Sequence, residues 1–426
     1  MKIRSFAVAA VAALAIPAAV SAQAQPDLEY FRPYDKQGIN VFEQPQIDDY
    51  PFDGVDVNLG AAFTQQFQAL DHTNLDGVVT PELIEIGSGF NLATANLYLD
   101  AQLADGIGVH LTTYLSSRHH PEAWVKSGYL LVDELPMFDS EGLDRLMEYV
   151  TIRAGHFEIN YGDAHFRRTD NGNAMHNPLV GNWIMDSFTT EIGGEVYVRT
   201  PGGFLGMLAL TGGEIRGAVE NPDARSPSFY GKVGFDRQLT EELRTRLTGS
   251  FYTTSGSINN TLYAGDRAGS RYYLVMEPVG SSAASQFRSG RLNPGFRDEV
   301  TAFMVNPFLK AGGFEFFGIG EWANGRAAGE ASERDWSQYA GEATYRFFDD
   351  ESVYATGRYT TASGELQGLA EEVSVDRVQI GGGWFLTQNI QLKAEWVRQS
   401  YSDFPTDDIR ADGEFDGFMV EGVVAF

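Results

Sequence analysis

The stretch Val55-Asp56-Val57-Asn58-Leu59-Gly60-Ala61-Ala62-Phe63-Thr64-Gln65-Gln66-Phe67 decides the fold. Val55, Val57, Leu59, Ala61, Phe63 and Phe67 fall on one face, and Asp56, Asn58, Thr64 and Gln66 fall on the other. A period of two held for more than ten residues is that of a β-strand with one apolar side. The signature recurs to give sixteen segments, the first eight at 55–69, 88–104, 106–118, 123–133, 149–158, 188–200, 203–216 and 227–239. The second eight lie at 242–256, 297–310, 313–324, 335–348, 351–364, 372–386, 389–402 and 414–426.

Working outward from the strands, the connections fall into two length classes. Short turns occur at Ala104-Asp105-Gly106, Pro201-Gly202-Gly203, Thr240-Glu241-Glu242, Ala311-Gly312-Gly313, Asp349-Asp350-Glu351 and Thr387-Gln388-Asn389. Long polar connections such as 158–187, 257–296 and 403–413 alternate with them. One long connection, 134–148, falls where a short turn is due, and the spacing of Leu143, Leu146 and Met147 predicts a small helix there. A soluble sandwich or propeller would not sort its turns this way, whereas an outer-membrane barrel has short turns at one end and long loops at the other. The sequence therefore predicts an all-β transmembrane antiparallel barrel of about sixteen strands, over residues 55–426.

Residues 1–22 read as a cleaved signal peptide: Lys2 and Arg4, an apolar run from Phe6 to Val20, and the small residues of Val20-Ser21-Ala22. Residues 23–54 form an irregular lead, because prolines 26, 33, 45 and 51 would interrupt any ladder. The absence of cysteine excludes disulfides and thiolate metal sites. The net charge of −27, or −29 once Lys2 and Arg4 are removed, argues against a nucleic-acid partner. Beyond the signal no apolar run is long enough for a membrane helix, so any crossing must be made by strands facing lipid on one side only.

If the apolar face meets lipid, the opposite face lines the interior. By parity it presents His110, Arg118, Arg153, Arg199, Lys232, Arg244, Arg246, Arg346, Arg358, Arg377 and Lys393. It also presents Asp56, Asp100, Glu191, Glu195, Asp236, Glu342 and Glu395. An arginine at mid-depth in lipid costs about 2–4 kcal/mol, which places these residues inside. The third long loop, 159–187, is unusually dense in hydrogen-bonding groups, including Asp163, His165, Arg167, Arg168, Asp170 and His176.

Three other chemistries fit poorly. Asp163, His165, Asp170 and His176 match no metal-ligand spacing. Residues 71–82 resemble a calcium loop until Gly77 is set at the obligatory position, which puts His72 first and Leu83 twelfth. No Gly-x-Ser-x-Gly elbow is present to mark a serine hydrolase. No cofactor and no catalysis are expected.

The run Arg153-Ala154-Gly155-His156-Phe157-Glu158-Ile159-Asn160-Tyr161-Gly162 resembles the strand that precedes the constriction loop in phosphate-selective porins. The last strand is similar to those of outer-membrane proteins: Phe418, Val420, Val424 and the terminal Phe426 share a face. The resemblance implies a bacterial outer-membrane location, contact with lipid, and recognition by the barrel assembly machinery through Phe426. It also implies a third loop folded into the barrel, passive diffusion of small hydrophilic solutes, and a homotrimer as the assembly to expect. Phosphate preference is not carried over, because the family's basic ladders have no counterpart in a chain with so few lysines and so acidic a total. The expected pore-lining set is Arg153, Asp163, His165, Arg167, Arg168, Asp170, His176, Arg199, Arg244, Arg246, Arg346 and Arg358, with anions favoured and Arg167→Glu shifting the preference towards cations. A barrel enzyme of the lipid-hydrolase type and a non-conducting scaffold or adhesin stand as alternatives.

Overall fold

The computed structural model describes residues 28, 31–44, 52–75, 82–116, 122–215, 222–265, 271–369 and 371–426. The signal segment 1–22 and Arg118 lie outside the described residues. The strands are β1 (Asp56–Thr73), the two-residue β2 (Gly89–Phe90), β3 (Thr94–Ala104), β4 (Ile107–Ser116), β5 (Glu122–Val132), β6 (Val150–Glu158), β7 (Thr190–Arg199), β8 (Phe204–Thr211) and β9 (Ser228–Gln238). They continue as β10 (Leu243–Thr254), β11 (Glu299–Ala311), β12 (Phe314–Arg326), β13 (Arg334–Phe347), β14 (Val353–Glu365), β15 (Glu372–Thr387), β16 (Ile390–Ser402) and β17 (Glu414–Ala425). All sixteen predicted segments are present, and the predicted small helix is α1 (Glu141–Met147).

Every long strand pairs antiparallel with its neighbours in the chain, and β1 pairs with both β3 and β17. The register Ala62↔Ala425 through Thr73↔Glu414 closes the sheet into a cylinder of sixteen long strands. Closure leaves no open edge, so the strands can lie in hydrocarbon without exposing unpaired backbone groups to it.

The distribution of side chains is inside out relative to a soluble protein. Val57, Leu59, Phe63, Val196, Leu208, Val233, Leu247, Phe303, Ile380 and Val420 are exposed, while Gln66, Asn96, Glu195, Lys232, Arg246, Glu342, Arg358, Arg377 and Glu395 are buried. A water-soluble sandwich would reverse these two sets. Aromatic side chains are exposed towards both ends of the strands. Trp322, Tyr339 and Phe418 lie nearer the long loops, and Phe235, Phe314, Tyr345 and Trp384 nearer the short turns. Such paired girdles suit the two water–lipid boundaries.

Leu208, in the middle of β8 and 56 % exposed, reports on this face. The substitution Leu208→Arg is expected to destabilise the reconstituted barrel by about 2–4 kcal/mol. Urea unfolding in lipid vesicles, followed by tryptophan fluorescence, checks this; an unchanged midpoint would show that the face is not in lipid.

Candidate functional site

The interior is built first by the connection between β6 and β7. After Glu158 the chain does not form a hairpin; it turns at Gly162, whose φ of +67° suits a residue without a Cβ. A short 3-10 helix, Ala164–Arg167, follows, and residues 159–190 are almost entirely buried. Asp163 meets Arg246 of β10 at 2.8 Å and Lys232 of β9 at 2.9 Å, and Arg167 meets Glu342 of β13 at 2.8 Å. Lys393 of β16 donates to the carbonyls of Ala174, Asn177 and Leu179, and Glu395 accepts from Val180 N and Gly181 N. At Gly172 a Cβ would stand 2.6 Å from both the Ala62 carbonyl of β1 and Ala95 Cα of β3, so the loop backbone lies directly on that wall. Partners spread over β1, β3, β9, β10, β13 and β16 mean that the segment crosses the interior.

Two further segments fill the cylinder. In the connection from β10 to β11, Leu262, Tyr272, Val275 and Leu292 are buried in one apolar cluster with Val397, Tyr401, Phe415 and Met419 of the wall. At the short-turn end, the lead 31–44 is tied to the turns. Lys36 N donates to the Gln388 carbonyl, the Gln388 side chain donates to Asp35, and the Asn40 side chain donates to Glu315. Arg246 stacks over Phe42 at 4.3 Å and pairs with Glu43 at 2.8 Å. The sequence marks 257–296 as an external polar loop and the lead only as irregular, so its reading underestimates how far the interior is filled. The apolar run Tyr272-Tyr273-Leu274-Val275-Met276 was the available signal, since a solvated loop has no use for it.

A run of three cavities lies to one side, along β3 to β10. A cavity of about 380 Å³ at the short-turn end is lined by Phe42, Glu43, Gln44, Arg199, Asp236, Arg244 and Arg246 among others. It shares Phe42, Glu43, Gln44 and Arg199 with an inner cavity of about 180 Å³. That cavity in turn shares Lys126 with one of about 20 Å³ beneath Trp124 and Phe188, towards the long loops. A volume of this last size holds about one water. Lys126 marks the narrow point, its Nζ 2.5 Å from Asp170 and 3.4 Å from Glu158, above the rings of Phe188 at 4.4 Å and Tyr114 at 5.2 Å. Sequence parity misses Lys126 for a physical reason. The β4–β5 register runs Thr112↔Ser127 and then Thr113↔Val125, which makes Lys126 the extra residue of a β-bulge and re-aims its side chain.

The sequence-derived site residues divide into two groups. Arg153, His165, Asp170, His176 and Arg199 line the inner cavity, Arg199, Arg244 and Arg246 line the neighbouring one, and Arg244 and Arg346 line another of about 510 Å³ at the same end. Asp163, Arg167, Arg168 and Arg358 line none of these cavities. They are sealed in ion pairs that fasten the third loop: Arg167 with Glu342 and Glu315, Arg168 with Asp186, Arg358 with Glu342, and Asp163 with Lys232 and Arg246. Arg167 is 3 % exposed, so Arg167→Glu would set a third carboxylate against Glu342 and Glu315 instead of retuning a pore. Among residues not anticipated, Arg32, Phe42, Glu43 and Lys126 line the inner cavity.

Burial alone would raise the Asp163 carboxyl, but Arg246 and Lys232 outweigh it and hold the group down at about 2. A depressed carboxylate stabilises the fold above its unfolded value of about 3.9, and that contribution is lost as pH falls towards the folded value. The substitution Asp163→Asn leaves two buried cations short of a partner and is expected to cost about 3–5 kcal/mol near neutral pH. The gap in thermal stability from the parent chain should then narrow between about pH 4 and pH 2. Melting of the detergent-solubilised pair across that range checks it; a constant gap would mean that Asp163 is not the anchor.

No family model matches the chain. No curated protein matches it by sequence. Solved structures do match it in fold. The anion-selective porin from Comamonas acidovorans superimposes with a TM-score of 0.54 at 11 % identity, covering 87 % of this chain and 100 % of that one. The outer membrane channel DcaP of Acinetobacter baumannii gives 0.53 at 10 % identity, covering 88 % and 98 %. The trimer form of OmpT, an outer membrane protein of Vibrio cholerae, gives 0.52 at 11 % identity, covering 88 % and 100 %. The chain therefore has the architecture of bacterial outer-membrane porins: a closed antiparallel barrel with an apolar exterior and a polar wall inside.

Proposed function

We propose that this protein is a diffusion channel of the bacterial outer membrane that passes small polar and charged solutes along a narrow, eccentric path. The observation that carries the reading is the succession of cavities joined first by Phe42, Glu43, Gln44 and Arg199, then by Lys126. A barrel packed only for rigidity would not join cavities along one wall with charged residues at each junction. Steric selection falls at Lys126, where the space is of the order of one water. The third loop acts as the constriction, held off that wall by its ion pairs with the others.

In this reading the short turns face the periplasm, the long loops face outwards, and the final Phe426 is the assembly signal. Three copies would assemble side by side through their lipid faces; the name of the Vibrio cholerae neighbour gives a trimer form for that protein. Its carboxylates and cations serve to position and sieve; no catalysis and no cofactor is assigned. The resemblance to phosphate-selective porins contributes architecture only. Among the described residues, the inner cavity's carboxylates form direct ion pairs with cations, whereas Arg32 and Arg199 form none. Anions should therefore permeate preferentially.

Single-channel recording of the purified protein in planar bilayers tests the proposal. Small discrete steps and a reversal potential on the anion side under a salt gradient are expected, and Lys126→Ala should raise the unitary conductance. A barrel that gives no steps would be a scaffold, and one whose only activity is abolished by a single serine or histidine change would be an enzyme.

A further inference from the structure

The inner cavity is built differently from a general aqueous passage. Across β4 to β7 its wall carries a continuous row of rings and cations. His110 stacks on Tyr129 at 5.1 Å, Arg153 lies 5.1 Å from the centre of Tyr129 and 5.9 Å from that of Tyr197, and Arg199 lies 5.3 Å from that of Tyr197. The lead supplies the facing side, where Tyr34 stacks on Tyr98 at 3.5 Å and Phe31 meets Tyr34 edge-on at 5.5 Å. Most of the ionic groups here are already satisfied. Arg153 pairs with Glu195, Lys126 with Asp170 and Glu158, and Glu43 with Arg246 and Lys232.

Three groups are not satisfied in this way. The Arg199 guanidinium makes no direct ion pair among the described residues, although the Glu43 carboxylate lies within reach of its charge, and its Nη1 is buried without a hydrogen bond. Arg32 donates only to main-chain carbonyls, those of Gly38 and Phe166. His110, 6 % exposed, gives Nδ1 to Asp100 and leaves Nε2 buried without a partner. All three line the same cavity. A buried donor left unmatched costs free energy that a ligand can recover, and a cation without its counter-charge prefers a ligand that brings one.

We propose that this cavity is a binding subsite for a small organic carboxylate with a single flat ring, taken up from the short-turn end. Arg199 and Arg32 would receive the carboxylate, and the ring would lie among Tyr129, Tyr197 and the Tyr34–Tyr98 stack, where a ligand hydroxyl or amine could donate to His110 Nε2. The size fits: a cavity of about 150 Å³ admits benzene, and this one is about 180 Å³. Charge disfavours a neutral sugar, since it would bring neither guanidinium a directly bonded carboxylate. The aromatic walls disfavour inorganic phosphate, which gains nothing from stacking and is better served by a cradle of polar donors. The inference deepens the channel reading by naming a solute class, and rests on it for the route that the anion takes; binding itself does not depend on conduction.

Benzoate is the probe, with benzamide, glucose and inorganic phosphate as comparators, applied to the full-length protein in two ways. Calorimetry in detergent reads binding, and planar bilayers read block of the ion current. Benzoate is expected to bind and to reduce the current in a concentration-dependent manner, ahead of all three comparators. Arg199→Gln and Arg32→Gln should each weaken binding about tenfold, the loss of one charged hydrogen bond. Arg199→Lys, which keeps the charge, should retain more of the affinity and separates loss of charge from loss of fold. Equal binding of benzamide or glucose, stronger binding of phosphate, or benzoate affinity unchanged in Arg199→Gln would each overturn the subsite. Binding without current steps would overturn the channel reading and leave the subsite standing; steps without benzoate binding would do the reverse.

Discussion

The pairing of β1 with β17 is the constraint from which the rest follows. Twelve residue pairs, from Ala62↔Ala425 to Thr73↔Glu414, join the two ends of the sheet and remove its edges. A sheet of this size left open in a bilayer would carry two rows of unpaired amide groups in hydrocarbon, each costing several kcal/mol. Once the cylinder is closed, the backbone needs nothing from its surroundings. Side chains are then free to satisfy two different solvents on two faces, and alternation along each strand becomes sufficient to sort them.

Closure also creates an interior too large for its own wall to fill, and the chain uses this volume unevenly. Along β11 to β17 the wall nearest the long loops includes the apolar side chains Trp336, Val375, Val397, Phe415 and Met419, which pack against the connection that follows β10. Nearer the short turns the wall is charged: Arg246, Glu315 and Glu342 clasp the third loop and the lead, and Arg346 braces Glu315. Buried ion pairs add little net stability compared with apolar packing of the same shape. Their value here is directional: each guanidinium fixes where a loop carbonyl or carboxylate must sit, which sets the loop's distance from the opposite wall.

That distance is what leaves room on the β3 to β10 side. The single-residue bulge at Lys126 turns a cation into the gap at its narrowest point, where Asp170 of the loop and Glu158 of β6 hold it. Nearer the short turns the cavity is larger, and the rings of Tyr129 and Tyr197 line it between cations. A cleft of this kind gains affinity from flat apolar area and orientation from a few fixed charges, which differs from the sieving expected of a wide aqueous pore.

The sixteen long strands, their inward and outward faces, the helix at Glu141–Met147 and the closing aromatic strand were legible in the residues alone. Period-two alternation and turn chemistry are local properties, and a lipid exterior enforces them at every strand. The parity assignment of Arg199, Lys232, Arg246, Glu342 and Glu395 to the inner wall belongs to the same class. What only the tertiary structure decided was the pairing of those charges across the cylinder. Arg167 and Arg153 look alike in sequence, yet one is locked between Glu315 and Glu342 while the other faces a cavity. The same holds for Lys126, re-aimed by a register shift, and for the lead, whose prolines announce irregularity but not the barrel mouth it occupies. Such contacts join residues from tens to several hundred positions apart through a closed sheet, and neither periodicity nor composition carries that information.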